Sequence, residues 1–256
     1  MARRDTSVPY QPQSRPEAVV SDTGERLDGR GLEEFRSAFL SPHALSQAAG
    51  SAYAECGKTK VMVGVYGPRQ SARATAFSEQ GRVQCDVKLA SFATRQRRRF
   101  GQSTDERELS GLLATALEAA VLRHTFPKSC IDIYCLVLES GGSELTVAIT
   151  AAAMAIADAG IAMADVVTAC SVSRVAGQLL LDPTADEAFR EDGSVLLAMM
   201  PAANLVTQLV VTGEWSSAQM KQALCLCMGG CLQLDAVTRK ALASSEEQAL
   251  AAMRIE

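Results

Sequence analysis

The chain has 256 residues, of which 48% are hydrophobic, 21% are charged and only 5% are aromatic. This composition is ordinary for a globular protein with a sizeable core, which is expected here to consist of closely packed small aliphatic side chains. The formal net charge of -4 excludes a protein that binds nucleic acid through its overall charge, so contact with a polyanion must come from a local basic patch.

The eight cysteines lie mostly in apolar runs and form no C-x-x-C pair, so we expect reduced, buried thiols in an intracellular protein. On a helix, Cys227 and Cys231 would share a face while Cys225 points away, so no metal site is expected there. The N-terminus lacks the apolar run of a signal peptide. The apolar stretch from Leu145 is short and contains Asp158, which indicates a core helix and not a membrane span.

The first part of the chain is predicted to be a tail followed by a β hairpin. Residues 1–24 are polar and contain three prolines, which predicts a flexible tail. Strands are predicted at Ser51–Cys56 and Lys60–Tyr66, with Gly57-Lys58 as the turn between them. We expect Gly67-Pro68 to end the second strand, because proline cannot donate to a ladder.

The middle of the chain is predicted to alternate between strand and helix. The pattern VQCDVKL predicts a half-buried strand at Val83–Leu89. Apolar residues on one face predict a helix at Asp105–Arg123, with Thr104 or Asp105 as its N-cap. The nearly continuous apolar run Ile131–Leu138 predicts a buried strand.

The second half is predicted to begin with a helix and to end with one. The turn Gly141–Glu144 precedes a small-residue helix that ends at Gly160. Further strands are predicted at Asp165–Ser173, Gly177–Leu181, Val195–Met200 and Leu205–Thr212, and helix from Ser216 in two pieces that break near Gly229-Gly230. This order predicts one compact α+β (α/β-like) domain over residues 25–256, with a mixed sheet packed on helices.

Two local features point to chemistry. Gly141-Gly142-Ser143 at a helix start presents free backbone N–H groups, the usual way for a chain to hold an anion, yet Glu144 places an acid in the first turn. The densest basic run is Arg95-Gln96-Arg97-Arg98-Arg99. This run is either a solvated loop or a contact to RNA phosphates without sequence readout. No aromatic platform accompanies it, since Phe92 and Phe100 only flank it.

Several motifs in order resemble the RNase PH family, in particular the ring subunits of the eukaryotic RNA exosome, over residues 25–240. In chain order they are Arg26-Leu27-Asp28-Gly29-Arg30, Gly50-Ser51-Ala52, Gly57-Lys58-Thr59-Lys60-Val61, Gly67-Pro68, Arg107-Glu108-Leu109-Ser110, Gly141-Gly142-Ser143, Ala157-Asp158-Ala159-Gly160-Ile161 and Leu181-Asp182. Each motif alone is weak, and their joint order and spacing carry the resemblance. Gly67-Pro68-Arg69-Gln70 and Leu181-Asp182-Pro183-Thr184 are most similar to the messenger-RNA-transport type of ring subunit.

The resemblance implies an RNase PH-type domain whose active members cleave RNA from the 3′ end with inorganic phosphate. In those members Gly-Gly-Ser/Thr-Arg holds the phosphate, and here the position of that arginine is Glu144. A carboxylate about 4 Å from a phosphate charge would cost on the order of 4 kcal/mol at an effective dielectric constant near 20. As a first-turn acid, Glu144 instead suits the helix dipole. Arg107 resembles a family position near the phosphate site.

The resemblance also implies a pair of acids that binds a divalent metal. Asp182 matches the first acid, but the position of the second is Ala188, while Asp186 and Glu187 are offset by two residues and by one. Functional metal binding is therefore not expected, and Asp182 is interpreted as a turn-forming residue beside Pro183.

The loss of the phosphate-binding arginine and of the second acid implies a non-catalytic structural subunit of the exosome core ring. Such a subunit would act in ring assembly and in threading RNA for 3′-to-5′ processing and degradation, including the processing of ribosomal RNA. Implied partners are other RNase PH-like subunits in a six-membered ring, S1/KH-type cap proteins and RNA. No cofactor, metal or membrane is implied, and the implied location is nucleus, nucleolus and cytoplasm. Two alternatives remain: a phosphate-dependent 3′-to-5′ exoribonuclease that uses Asp182 and a displaced acid, and a stand-alone RNA-binding protein that uses the arginine run.

Overall fold

A computed structural model describes residues 26–70, 79–98 and 103–253 of the chain. The predicted tail at 1–24 lies outside the described residues, as does Arg99 of the basic run. The strands are β1 Ala38–Pro42, β2 Gly50–Cys56, β3 Thr59–Gln70, β4 Arg82–Leu89, β5 Ser129–Glu139, β6 Thr168–Val175, β7 Gln178–Leu181, β8 Gly193–Met200 and β9 Leu205–Gly213. The helices are α1 Thr104–Glu118, α2 Glu144–Asp158, α3 Ala185–Ala188 and α4 Ser217–Met253, and a 3-10 turn covers Arg123–Thr125.

The strands form two sheets. The first has the order β1-β2-β3-β5-β4, with β4 parallel to β5 and the other neighbours antiparallel. The second has the order β7-β6-β8-β9 and is antiparallel throughout. The predicted α+β class with a mixed sheet is confirmed, but the strands divide between two sheets.

Helix α2 is the centre of the molecule. Every residue from Leu145 to Ile156 is buried, because the helix packs against β2 and β3 of the first sheet and β6 of the second. A helix that is apolar all round belongs in a core, and its alanines let both sheets approach closely. The prediction of a core helix here is confirmed. Within the described ranges, no helix is long and apolar enough to span a membrane.

Helices α1 and α4 cover other surfaces of the sheets. Leu113, Ala116 and Leu117 of α1 are buried in the main core, where α1 packs on β4. Cys227 and Cys231 of α4 are buried against the second sheet, and their thiols donate to the carbonyls of Val195 and Leu197 on β8. All eight cysteines are free thiols, and Cys225 is exposed.

Most local predictions hold, and three boundaries are wrong. Gly67-Pro68 does not end β3, which continues to Gln70 because a register shift between Tyr66 and Arg69 absorbs the proline. The N-cap of α1 is Ser103, which exchanges hydrogen bonds with Glu106 in a capping box, and not Thr104 or Asp105. Helix α1 also ends at Glu118, before the predicted Arg123.

The predicted break in the last helix is wrong, and two elements were not predicted. Helix α4 runs through Gly229-Gly230 without interruption. Gly230 serves packing, because a Cβ there would lie 2.8 Å from the Phe35 ring and 2.9 Å from the Cys170 sulfur. Strand β1 and the one-turn helix α3 had no sequence prediction, since both are too short for a periodic pattern.

Candidate functional site

The turn at Gly141–Glu144 joins the end of β5 to the start of α2. Ser143 is the N-cap and lies in the left-handed region with φ 54°. A Cβ on Gly142 would come within 2.6 Å of the Pro183 carbonyl oxygen, and one on Gly141 within 2.7 Å of the Lys58 side chain. The two glycines are therefore required by the close approach of neighbouring backbone, which is a structural use that needs no bound anion.

The acid of this turn folds back onto its own backbone. Oε1 of Glu144 accepts hydrogen bonds from the Ser140 hydroxyl and, at 3.3 Å, from the Gly142 N–H. The Ser143 hydroxyl donates to the Pro183 carbonyl at 3.1 Å and accepts from the Ser171 hydroxyl at 2.9 Å. A backbone donor and a hydroxyl that could hold an anion are thus already engaged within the chain.

Asp182 is held by a buried arginine. Nη2 of Arg36 lies 2.6 Å from Oδ1 of Asp182 and Nε lies 2.8 Å from Oδ2, and both side chains are buried. Burial opposes the charge of Arg36, but the hydrogen bonds and charge of Asp182 outweigh it, so the pKa of the guanidinium is raised. Both carboxylate oxygens of Asp182 therefore serve a bidentate ion pair.

The same arginine fixes the glycine turn. Arg36 donates to the carbonyls of Gly141 at 3.2 Å and Gly142 at 3.1 Å, and to the hydroxyl of Thr59 at 3.2 Å. That hydroxyl in turn donates to the Gly142 carbonyl at 2.7 Å. Arg36 thus joins the β2–β3 hairpin, the Gly141–Glu144 turn and Asp182 in one buried network.

The acids that could replace the missing partner of Asp182 are also engaged. Glu187 is buried in a bidentate ion pair with Arg26, and it caps α3 by accepting from the Thr184 N–H at 2.7 Å. Asp186 is half-buried and pairs with Arg95 at 2.9 Å. Ala188 ends α3 and offers no ligand. In the described part of the chain, no group of three or more His, Cys, Asp or Glu side chains could hold a metal ion.

The described residues of the basic run have different surroundings. Arg95 is exposed and reaches Asp186, while Arg98 is half-buried, with Nη2 3.7 Å from Oδ2 of Asp105. Arg97 is exposed and makes no ion pair with any described acid. Arg107 is exposed in the first turn of α1.

An open cleft of about 1070 Å3 brings part of the predicted site together. Its walls include Phe92 and Arg95 from the loop after β4, Gly141 from the glycine turn, and Asp186 from α3. Arg107 and Glu144 are not among the described residues that line it. The arginine loop and the glycine turn therefore share a cleft, while Arg107 does not join them there.

Arg36 and Thr59 are the site residues that sequence reasoning missed. Thr59 belongs to the hairpin motif, and its position directly after Gly57-Lys58 was a usable signal. Arg36 is separated from Asp182 by 146 positions and has no spacing pattern that points to it.

Comparison with known proteins agrees with this architecture. Residues 34–162 match the model of domain 1 of the 3′ exoribonuclease family (RNase PH), and residues 165–228 match that of domain 2. The exosome complex component RRP41-like of Arabidopsis thaliana is 45% identical over 220 residues, covering 86% of this chain and 85% of the relative. Human exosome complex component MTR3 is 38% identical over 243 residues, covering 89% of each chain.

A solved structure shares the fold at lower identity. The structure of the Archaeoglobus fulgidus exosome with RNA bound to the active site matches with a TM-score of 0.73 and 20% identity, over 83% of this chain and 92% of that one. With two family models covering most of the chain and two curated relatives above 30% identity, the chain belongs to the RNase PH family of 3′ exoribonucleases.

Proposed function

We propose that this chain is a non-catalytic structural subunit of the RNA exosome core ring, where it supports ring assembly and guides RNA toward a separate nuclease. The proposal rests on one observation: the groups that would bind phosphate and a metal are already hydrogen-bonded or ion-paired within the chain. Glu144 occupies the Gly142 N–H, and Arg36 holds both oxygens of Asp182. A phosphate-dependent reaction would need a free anion site and free acids for a metal, and here those groups stabilise the fold.

The proposed partners are other RNase PH-like subunits in a six-membered ring, S1/KH-type cap proteins and RNA. The relatives named above are components of exosome complexes, which supports assembly with other chains. The proposed role is 3′-to-5′ RNA processing and degradation, including ribosomal RNA, in the nucleus, nucleolus and cytoplasm. The position in the ring stays a prediction, because motif resemblance favours the messenger-RNA-transport type while the 45% identity is with an RRP41-like component.

The RNA contact is proposed for the arginine loop. Arg95 is exposed and lines the cleft, Arg97 is exposed in the same loop, Arg98 is half-buried there, and Arg99 follows outside the described residues. Contacts of this kind bind the phosphate backbone without reading sequence, as expected for a protein that guides many RNAs.

A phosphorolysis assay distinguishes this role from the exoribonuclease alternative. The chain would be assembled with an RNase PH-like partner and given single-stranded RNA and inorganic phosphate, and release of nucleoside diphosphate would be measured. The discriminating variant is Asp186→Asn, because Asp186, unlike Glu187, is a candidate for the missing acid that is not held in a buried pair. Glu108→Gln, on exposed α1, removes an acid elsewhere as the control.

We expect neither variant to lower the rate below that of wild type, because any release comes from the partner. A rate that falls with Asp186→Asn and not with Glu108→Gln would overturn the structural role and establish the enzyme.

A further inference from the structure

Phe92 is the most exposed large apolar residue in the described part of the chain. It lies in the loop after β4, is 71% exposed and lines the open cleft of about 1070 Å3. Leu27, which is 57% exposed, lines the same cleft. A single exposed apolar residue is ordinary on a protein surface, but two that share a concave surface indicate a binding site.

The backbone on both sides of Phe92 is held by β5 and its end. Before it, the Ala90 N–H donates to the Val137 carbonyl at 2.9 Å. After it, the carbonyl of Ala93, a buried residue, accepts from the Ser140 N–H at 2.9 Å. The ring of Phe92 is therefore presented by an anchored loop, and a group that is already in place loses little conformational freedom when a ligand binds.

The charges of the cleft leave one cation without a partner. Three ion pairs lie along its walls: Arg30 with Asp28, Lys60 with Glu139, and Arg95 with Asp186. The buried Arg36 and Glu187 pair as described above. Lys58 is exposed at the hairpin turn and makes no ion pair with any described acid. The cleft therefore has one unpaired positive charge, which is enough to bind one phosphate.

An aromatic ring and an unpaired cation in one cleft fit a single nucleotide. Every nucleobase has a flat face that stacks on an aromatic side chain, so stacking binds any sequence. The base is available only when it has no duplex partner, because a paired base is covered by its neighbours in the helix. Phe92 and Lys58 together therefore match the base and the phosphate of one unpaired nucleotide.

We propose that the cleft takes one nucleotide of the guided RNA, with its base stacked on Phe92 and its phosphate paired with Lys58. This inference rests on the proposed function, because its ligand is the RNA that the arginine loop contacts. Arginine contacts to phosphates hold single-stranded and duplex RNA alike. The stacking contact makes Phe92 a specificity-determining residue, which selects single-stranded RNA without reading its sequence.

Fluorescence anisotropy of the assembled complex with a short single-stranded RNA tests the stacking contact. Phe92→Ala should weaken binding at least about fivefold, the lower end of the range for loss of one base stack. Phe92→Trp keeps an aromatic ring and should bind at least as tightly as wild type. Phe39→Ala is the matched control and should not change affinity, because Phe39 is 59% exposed and lines a separate depression beside α4.

An RNA of the same length made of abasic nucleotides separates stacking from a general loss of the cleft. This strand has phosphates but no bases, so it should bind wild type and Phe92→Ala equally.

The salt dependence separates the ring from the cation. Phe92→Ala should leave the slope of log K against log salt unchanged, because a ring releases no counterions. Lys58→Ala should lower the slope by about 0.7, the value for one phosphate contact. Circular dichroism and thermal unfolding would verify that every variant folds.

The possible results separate this inference from the proposed function. Unchanged affinity in Phe92→Ala, or an equal loss with normal and abasic RNA, would overturn the stacking contact. A lower salt slope in Arg97→Ala would then leave the proposed RNA path in place, whereas an assembled complex that binds no RNA would overturn both.

Two further results would assign the cleft to another ligand and so overturn the inference. Weaker subunit assembly in Phe92→Ala would make the cleft a contact between protein chains. Binding of a free nucleoside monophosphate as tightly as RNA would make a free nucleotide the ligand.

Discussion

The residue Glu144 has a structural role that can be measured. Glu144→Ala removes the acceptor for the Ser140 hydroxyl and the Gly142 N–H, together with a negative charge at the N-terminus of α2. The loss should lower the free energy of unfolding by about 1–2 kcal/mol, measured by urea denaturation. Glu144→Gln keeps an acceptor oxygen and should lose less than half as much. An alanine variant as stable as wild type would show that the acid is kept for another purpose.

Substitutions in the buried pair of Arg36 and Asp182 should change stability more than those at Glu144. Removing one partner of a buried ion pair leaves an uncompensated charge, so Arg36→Met or Asp182→Asn should each cost about 3–5 kcal/mol of unfolding free energy. The double variant should cost clearly less than the sum of the two single changes, in a double-mutant cycle followed by thermal unfolding. If Asp182 were instead a free ligand awaiting a metal, Asp182→Asn alone would leave stability nearly unchanged.

Individual site residues differ in how far sequence can predict them. Glu144, Asp182 and Ala188 stand at fixed places in motifs, so their identities could be compared with the family pattern directly. The partners that hold Asp182 and Glu187 could not be predicted, because Arg36 and Arg26 reach them across 146 and 161 positions. Such contacts exist only after the sheets have packed, and no local spacing encodes them.

At the scale of elements, helix α4 provides a matched pair of substitutions. A Cβ on Gly229 would meet no atom within 4 Å, so Gly229→Ala should raise the free energy of unfolding by about 0.5–1 kcal/mol through helix propensity. Gly230→Ala should lower it, because the new methyl group would press on Phe35 and Cys170 at under 3 Å. Denaturation midpoints of the two variants measure this difference. If both substitutions stabilised the protein, the space around Gly230 would have to accommodate a methyl group, contrary to its close contacts with Phe35 and Cys170.

Some strands and helices can be predicted from local sequence patterns alone, and others cannot. Alternation in VQCDVKL and the apolar run at Ile131–Leu138 predicted β4 and β5 correctly, because side-chain period is a local property. Their parallel pairing was not predicted, since it depends on α1 crossing between them. The double glycine suggested a helix break, yet packing against Phe35 maintains α4, so tertiary contact overrode local propensity.

At the scale of the whole molecule, charge is unevenly distributed over the surface. The arginine loop and its cleft present cations, whereas strand β9 carries no charged residue. A net charge of -4 would repel RNA from much of the remaining surface, so guidance of RNA must depend on the loop. Within the loop the cations are not equivalent, because Arg95 is already paired with Asp186.

This difference predicts opposite effects on the salt dependence of RNA binding. Arg97→Ala removes an exposed arginine that no described acid pairs, so the slope of log K against log salt should fall by about 0.7, the value for one phosphate contact with single-stranded RNA. Asp186→Asn releases Arg95 and should raise the slope by a similar amount. Lys240→Ala, on exposed α4, removes a cation elsewhere and should leave the slope unchanged. Fluorescence anisotropy of the assembled complex with a single-stranded RNA of uniform sequence gives the slopes. Equal slopes for wild type and all three variants would remove the arginine loop from the RNA path, because loss of a phosphate contact must release fewer counterions.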